Sequence, residues 1–285
     1  MKPLIPYFSQ PDIPIGPLTV HGFGIMVALG FWLGGMLAQK KAEQFTTDPD
    51  AGDRVNRMVS WLVVGAVAGG HLGHVLFYEP EVLLTDPMKL LRFWDGLSSF
   101  GGFTLCVPLT IWFFRKERKP YFPYADALAW GFGLGFGIGR LGCFWAHDHP
   151  GRQTDFWLGV YGICPGGNPD VACHDMGLYE ALWVFGILGV MLVASRRPRA
   201  PGTYLGLLAM LYGPVRIAMD FLRHPDGVDT RYLGLTPAQY GSLLVTGLGV
   251  ALLATRKAAP AAQPGPTLEV PVGEADEPPR GNVAP

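Results

Sequence analysis

Apolar residues along this chain gather into blocks separated by short polar connections. A helix that crosses a bilayer needs about 17–25 such residues. The pattern predicts spans at roughly Val20–Ala38, Met58–Tyr78, Phe100–Phe114, Tyr124–Trp145, Leu178–Ala194, Thr203–Leu222 and Gln239–Ala254. The third and seventh blocks are short, which leaves tilted or partly re-entrant paths open to them. The expected fold is all-α: a polytopic membrane helical bundle of about seven transmembrane helices over residues 1–257. Beyond Lys257 the chain turns rich in Ala, Pro and Glu, so residues 258–285 read as a disordered cytoplasmic tail.

Lys and Arg cluster in alternate connections, which sets orientation. Lys40, Lys41 and Arg54 follow the first block, and Arg115, Lys116, Arg118 and Lys119 follow the third. Arg196, Arg197 and Arg199 follow the fifth, and Arg256 and Lys257 the seventh. These connections read as cytoplasmic, so the N-terminus lies outside and the C-terminus inside. The first twenty residues lack the basic start and small-residue cleavage site of a signal peptide.

Composition agrees with a membrane protein. The 285 residues are 49% hydrophobic and 16% charged, against about 25% charged in soluble domains. A net charge of −1 gives no argument for nucleic acid. None of the four cysteines forms a C-x-x-C pair, so a zinc ribbon is not expected. Cys164 and Cys173 share one outward connection and are free to form a disulfide or remain thiols.

The charges inside apolar blocks carry the functional signal. Arg140 sits inside the run Gly131–Trp145, and Arg216 lies within Leu205–Leu222. A guanidinium at a helix centre costs about 2.5–3.5 kcal/mol on insertion scales. Snorkelling to the boundary reduces that cost; an anionic partner offsets it. Two such arginines suggest an anionic ligand at membrane depth, for which a phospholipid headgroup is the abundant candidate. Asp220 stands four residues after Arg216, so the two can pair on one helical face. That pair is either purely structural or a holder that aims the guanidinium at a phosphate.

After Arg140 the chain runs His147-Asp148-His149. Two imidazoles beside a carboxylate suit general-base work. His-x-His also begins some metal sites, with His174 or Asp155 as further ligands, although no second compact ligand pair is present. His71 and His74 share a helical face, and His21 marks the outer end of the first span. Glu180 opens the fifth span, where a helix dipole favours a carboxylate. Gly65, Gly69 and Gly73, and then Gly131, Gly135 and Gly139, repeat the spacing that lets helices approach closely; the other reading of those glycines is room for a lipid chain.

These residues resemble the bacterial prolipoprotein diacylglyceryl transferases. The likeness covers about Ile15 to Ala254 and rests on His21-Gly22-Phe23-Gly24, Gly69-Gly70-His71-Leu72-Gly73-His74, Trp94-Asp95-Gly96, Gly139-Arg140-Leu141-Gly142, Gly151-Arg152, Leu178-Tyr179-Glu180 and Tyr212-Gly213…Arg216…Asp220. The resemblance implies transfer of diacylglycerol from phosphatidylglycerol to the lipobox cysteine in the signal-peptide region of a prolipoprotein, in the bacterial inner membrane and without a cofactor or metal. Arg140 and Arg216 match essential arginines of the family, Gly151 a critical glycine, and Asp220 and Asp148 stand at glutamate positions. His21 is counted with the lipid-binding residues.

The chain departs from the family pattern at three positions. Phe23 replaces a tyrosine, Cys143 an asparagine, and Gly101 a histidine that is a candidate base in the family. The lipid clamp is therefore expected to be kept and the proton-handling part altered. His147 or His149, oriented by Asp148, is expected to take over as base. The alternative expectation is a phospholipid-binding relative without catalysis.

Overall fold

The computed structural model describes residues 2–15, 18–93, 96, 98–224 and 233–255. Its long helices are α1 (Gly22–Phe45), α2 (Ala51–Tyr78), α4 (Ser99–Lys116), α5 (Tyr121–Ala146), α6 (Met176–Ala194), α7 (Thr203–Leu222) and α8 (Pro237–Thr255). A single helical turn, α3 (Val82–Thr85), and a 3-10 turn at Pro87–Leu91 lie between α2 and α4. Among the described residues, six helices are long and apolar enough to cross a membrane, making this a polytopic helical membrane protein. The remaining long helix, α4, packs with them but carries Pro108 inside and Arg115 and Lys116 in its last turn. Trp94, Asp95 and the 258–285 tail fall outside the described residues.

Two small sheets add to the expected all-α bundle. β1 (Asp12–Ile15) and β2 (Leu18–His21) form an antiparallel hairpin ahead of α1. Between α5 and α6, β3 (Pro150–Gln153), β4 (Val160–Tyr161) and β5 (Ala172–Asp175) form a sheet in the order β3-β5-β4. A disulfide joins Cys164 to Cys173 in this cap, with Cα atoms 5.4 Å apart. The N-terminal segment joins the same cap through Tyr161 N–H donating to the Ile5 carbonyl at 3.0 Å.

Glycine sets the closest helix pairings. In α1 and α5, Gly30 and Gly34 face Gly135 and Gly131 so tightly that a Cβ on Gly131 would lie 2.4 Å from the Gly34 carbonyl oxygen. In α2 and α4, a Cβ on Gly101 would lie 2.3 Å from the Gly69 carbonyl oxygen and 2.7 Å from Gly73 Cα. Backbone contact of this kind drives association where the lipid removes any hydrophobic advantage. Gly65 fits the same pairing against Leu109, while Gly139 faces open space.

The bundle end opposite the cap is tied by one carboxylate. Asp48, in the α1–α2 turn, accepts from Arg54 Nε and Lys119 Nζ, each at 3.0 Å, and from the Tyr124 hydroxyl at 2.5 Å. Arg54 also pairs with Glu117. The Tyr124 hydrogen bond, with those from Lys119 and Arg54, holds the Asp48 carboxyl well below the usual range against the opposing effect of burial. Nearby, buried Asp126 accepts from the backbone N–H groups of Gly202 at 2.7 Å and Leu205 at 2.8 Å, capping the start of α7.

Two outcomes follow from this packing. Gly101→His should push α2 and α4 apart and lower the thermal midpoint in detergent, because overpacking costs about 1–3 kcal/mol or more. An unchanged midpoint would show that the pair repacks freely. Asp48→Ala removes the acceptor shared by Arg54, Lys119 and Tyr124 and leaves Arg54 with its Glu117 pair; breaking a buried pair costs up to about 3–5 kcal/mol, and the same melting measurement should register it as a second, independent loss.

Candidate functional site

The cap end of the bundle brings three helices to one carboxylate. Arg140 stands six residues before the end of α5 and Arg216 six before the end of α7, which is about 9 Å inside each helix at 1.5 Å per residue. Glu180 lies four residues after the start of α6, about 6 Å in. Arg140 Nη2 meets Glu180 Oε2 at 2.5 Å, and Arg216 Nε lies 3.8 Å from Glu180 Oε1. The Tyr212 hydroxyl donates to the same Oε1. Glu180 is 3% exposed, so its charge depends on these neighbours.

Asp220 supplies the second anion. Its Oδ1 lies 3.4 Å from Arg216 Nη1 and 3.5 Å from Arg223 Nη1. The Thr236 hydroxyl donates to its Oδ2 at 2.6 Å. Among the described residues the cluster sets three guanidinium groups against two carboxylates, an excess of one positive charge. Arg140 Nε is buried without a partner among the described residues. A buried donor without a partner costs about 1–3 kcal/mol. The arrangement is therefore cationic and incompletely satisfied, which suits it to a phosphate.

The two histidines of the His147-Asp148-His149 run part company. Helix α5 ends at His147, whose φ of 50° turns the chain back on itself. His147 points inward: Nδ1 lies 3.2 Å from the buried Asp175 carboxylate and Nε2 3.0 Å from the Phe8 carbonyl oxygen. Both ring nitrogens are engaged by protein groups. The Asp175 carboxylate also caps α6, accepting from Leu178 N–H at 2.9 Å. His147 therefore fixes the turn, and Asp148 does not orient it.

The turn lays Asp148 and His149 back over the last turn of α5. His149 Nδ1 pairs with Asp148 Oδ1. Cys143 is buried, and its sulfur lies 3.5 Å from Arg140 Nη1. The hydrogen bond to Asp148, and then one to Cys143, pushes His149 up to about 9 against the opposing effect of burial. Asp148, His149, Cys143, Arg140 and Glu180 form one continuous polar chain from the mouth of the site to its floor.

Gly151 and His21 have different surroundings. Gly151 lies in β3, where a bridge to Arg223 joins the cap sheet to the end of α7. A Cβ there would lie 2.6 Å from the Leu222 carbonyl oxygen and 2.8 Å from His174 Cβ, so only glycine lets the sheet approach. His21 is more than half exposed and bonds Asp12 across the β1–β2 hairpin at 2.8 Å, outside the arginine cluster. His71 spends both ring nitrogens on the carbonyl oxygens of Gly96 and Lys89, at 3.1 and 3.0 Å. His174 bonds the Tyr179 hydroxyl at 2.8 Å, and burial lowers its pKa.

Glu180 is the residue whose central place the sequence did not announce. Its helix-start position explains a carboxylate there, but not two arginines on it. The available signal was a carboxylate just inside a span, about 6 Å from its end where the two span arginines stand about 9 Å from theirs.

Comparison with known proteins identifies the family. A family model described as prolipoprotein diacylglyceryl transferase matches residues 12–255. A Chromohalobacter salexigens protein named phosphatidylglycerol–prolipoprotein diacylglyceryl transferase is 37% identical over 221 residues, covering 75% of this chain and 79% of its own. A protein of the same name from Stenotrophomonas maltophilia is 33% identical over 285 residues, covering 90% and 96%. One from Pseudomonas aeruginosa is 32% identical over 266 residues, covering 91% and 97%. The family match spans the helices that carry Arg140, Glu180 and Arg216, and on it this chain belongs to the prolipoprotein diacylglyceryl transferases.

Proposed function

We propose that this protein transfers the diacylglyceryl group of phosphatidylglycerol to a cysteine thiol in the signal-peptide region of a prolipoprotein, at the outer face of the bacterial inner membrane. The observation that carries the reading is the meeting of two guanidinium groups, from separate spanning helices, on one buried carboxylate. The disulfide in the cap supports an outward-facing site, because such bonds persist in oxidising compartments. Basic connections at the other end support a cytoplasmic C-terminus.

The phosphate of the lipid sits against Arg140 and Arg216, with Glu180 and Asp220 holding their planes. In the reaction the sulfur attacks the glyceryl carbon, the carbon–oxygen bond to phosphate breaks, and glycerol phosphate leaves. Negative charge grows on that leaving oxygen, and a fixed pair of guanidinium groups stabilises it in surroundings that exclude water. Asp148 and His149 serve the acceptor thiol at the mouth. His149, paired with Asp148, holds the sulfur of that thiol for attack. Gly151 keeps the cap sheet on the end of α7, and so holds Arg223 and Asp220 in register.

The test is lipidation of a lipobox peptide by the protein in nanodiscs containing phosphatidylglycerol, read as a mass shift. Arg140→Ala and Arg216→Ala should each lower turnover about 10²–10³-fold. The double variant should fall well short of the product of the two, because both act on one phosphate. Full activity in either single variant would refute the clamp. Lipid binding that persists while no peptide is lipidated by the unaltered chain would identify a lipid-binding relative without catalysis.

The two halves of the site should separate in the same assay. His149→Ala and Asp148→Asn are expected to cut turnover about 10²-fold while leaving phosphatidylglycerol retention unchanged. A matching loss of lipid retention would move these residues to the lipid side.

A further inference from the structure

The turn at His147 brings three metal-binding side chains to one point. One ligand atom each from Cys143, Asp148 and His149 lies within 4.8 Å of the other two. Among the described residues this is the one such group. His147 fixes it from behind, since its contacts to Asp175 and Phe8 hold the turn that folds Asp148 and His149 over Cys143. Cys143 is buried and lies outside the Cys164–Cys173 disulfide. The metal site that the His-x-His spacing suggested is not built: His147 faces away, and His174 bonds Tyr179.

The donor set selects its cation. Sulfur with imidazole and one carboxylate suits a borderline-soft divalent ion, whereas Mg²⁺ and Ca²⁺ take oxygen ligands. Around zinc, with bonds of about 2.0–2.3 Å, tetrahedral ligand atoms stand about 3.5 Å apart. The present spacing therefore needs a closure of about 1 Å at its widest, on the same geometry. Asp148 and His149, with side chains 39% and 38% exposed, are free to make it. Three protein ligands leave the fourth position open, which is the form of a catalytic zinc site.

We propose that Cys143, Asp148 and His149 bind Zn²⁺, and that the open position takes the thiolate of the acceptor cysteine. Metal coordination removes the proton of a thiol outright, and that proton passes to water. The zinc-held sulfur then forms the bond to the glyceryl carbon as the carbon–oxygen bond breaks, and the leaving glycerol phosphate carries the electron pair onto the arginines. No oxidant or reductant enters. This supplies a nucleophile in a chain whose residue 101 is glycine and lacks an imidazole. The Cys143 sulfur, 3.5 Å from Arg140 Nη1, joins the metal to the clamp. The metal's role rests on the transferase reading; its binding does not.

Full-length protein in detergent, equilibrated with Zn²⁺ and freed of excess, should retain one zinc per chain by elemental mass spectrometry. Cys143→Ala and His149→Ala should fall to background, and Asp155→Ala should retain the metal. His149→Cys should regain it, which separates loss of a ligand from misfolding. In Co²⁺-loaded protein a sulfur-to-metal absorption should vanish in Cys143→Ala. It should strengthen on adding a lipobox peptide, and not its Cys→Ser version. Zinc no higher in the unaltered chain than in Cys143→Ala would overturn the site. An absorption indifferent to the peptide thiol would overturn the thiolate role. Zinc bound at one per chain with no lipidation in phosphatidylglycerol nanodiscs would instead count against the transferase reading, keeping the two failures distinct.

Discussion

One carboxylate holds this site together. Glu180 lets two guanidinium groups from different helices sit together inside a membrane protein, where either alone would seek water. Without it the arginines repel one another across a short gap; with a carboxylate for each, they would have nothing left to offer a ligand. Sharing Glu180, with Asp220 divided between Arg216 and Arg223, is the intermediate case. It stabilises the pair and leaves an excess of positive charge, and the surrounding hydrogen bonds from Tyr212 and Thr236 fix the two carboxylates rather than the arginines.

The scaffold concentrates rigidity where this balance needs it. Glycine contacts hold α1 against α5, the helix of Arg140. Asp126 holds the start of α7, the helix of Arg216, against α5 at the opposite end of the bundle. The cap sheet reaches the other end of α7 through Gly151 and Arg223. Both helices that supply a spanning arginine are therefore tied through backbone contacts, so the guanidinium positions do not follow from their own ion pairs alone.

How much of this is legible in the sequence depends on the range of the interaction. The spans are legible because hydropathy acts locally, and Arg140 and Arg216 are conspicuous because a cation in an apolar run is costly. Asp220 follows from helical spacing. Glu180 as the meeting point does not, because its partners lie on two other helices. His147 and His149 look equivalent as residues; a single left-handed turn sends one inward and the other to the mouth. The glycine repeats announce close packing but not which helices pair. The cap strands, two to four residues long, carry too little alternation to be read.

The contact between α2 and α4 limits substitution. Where Gly101 meets Gly69 and Gly73, helix backbones occupy the volume that a side chain at position 101 would need. The family resemblance expects an imidazole at that position. A single substitution there meets a steric barrier, and accommodating a side chain requires coordinated change on two helices. Position 101 is thereby closed to any one-step gain of a side chain, and a new functional group is more readily accommodated where the backbone leaves room.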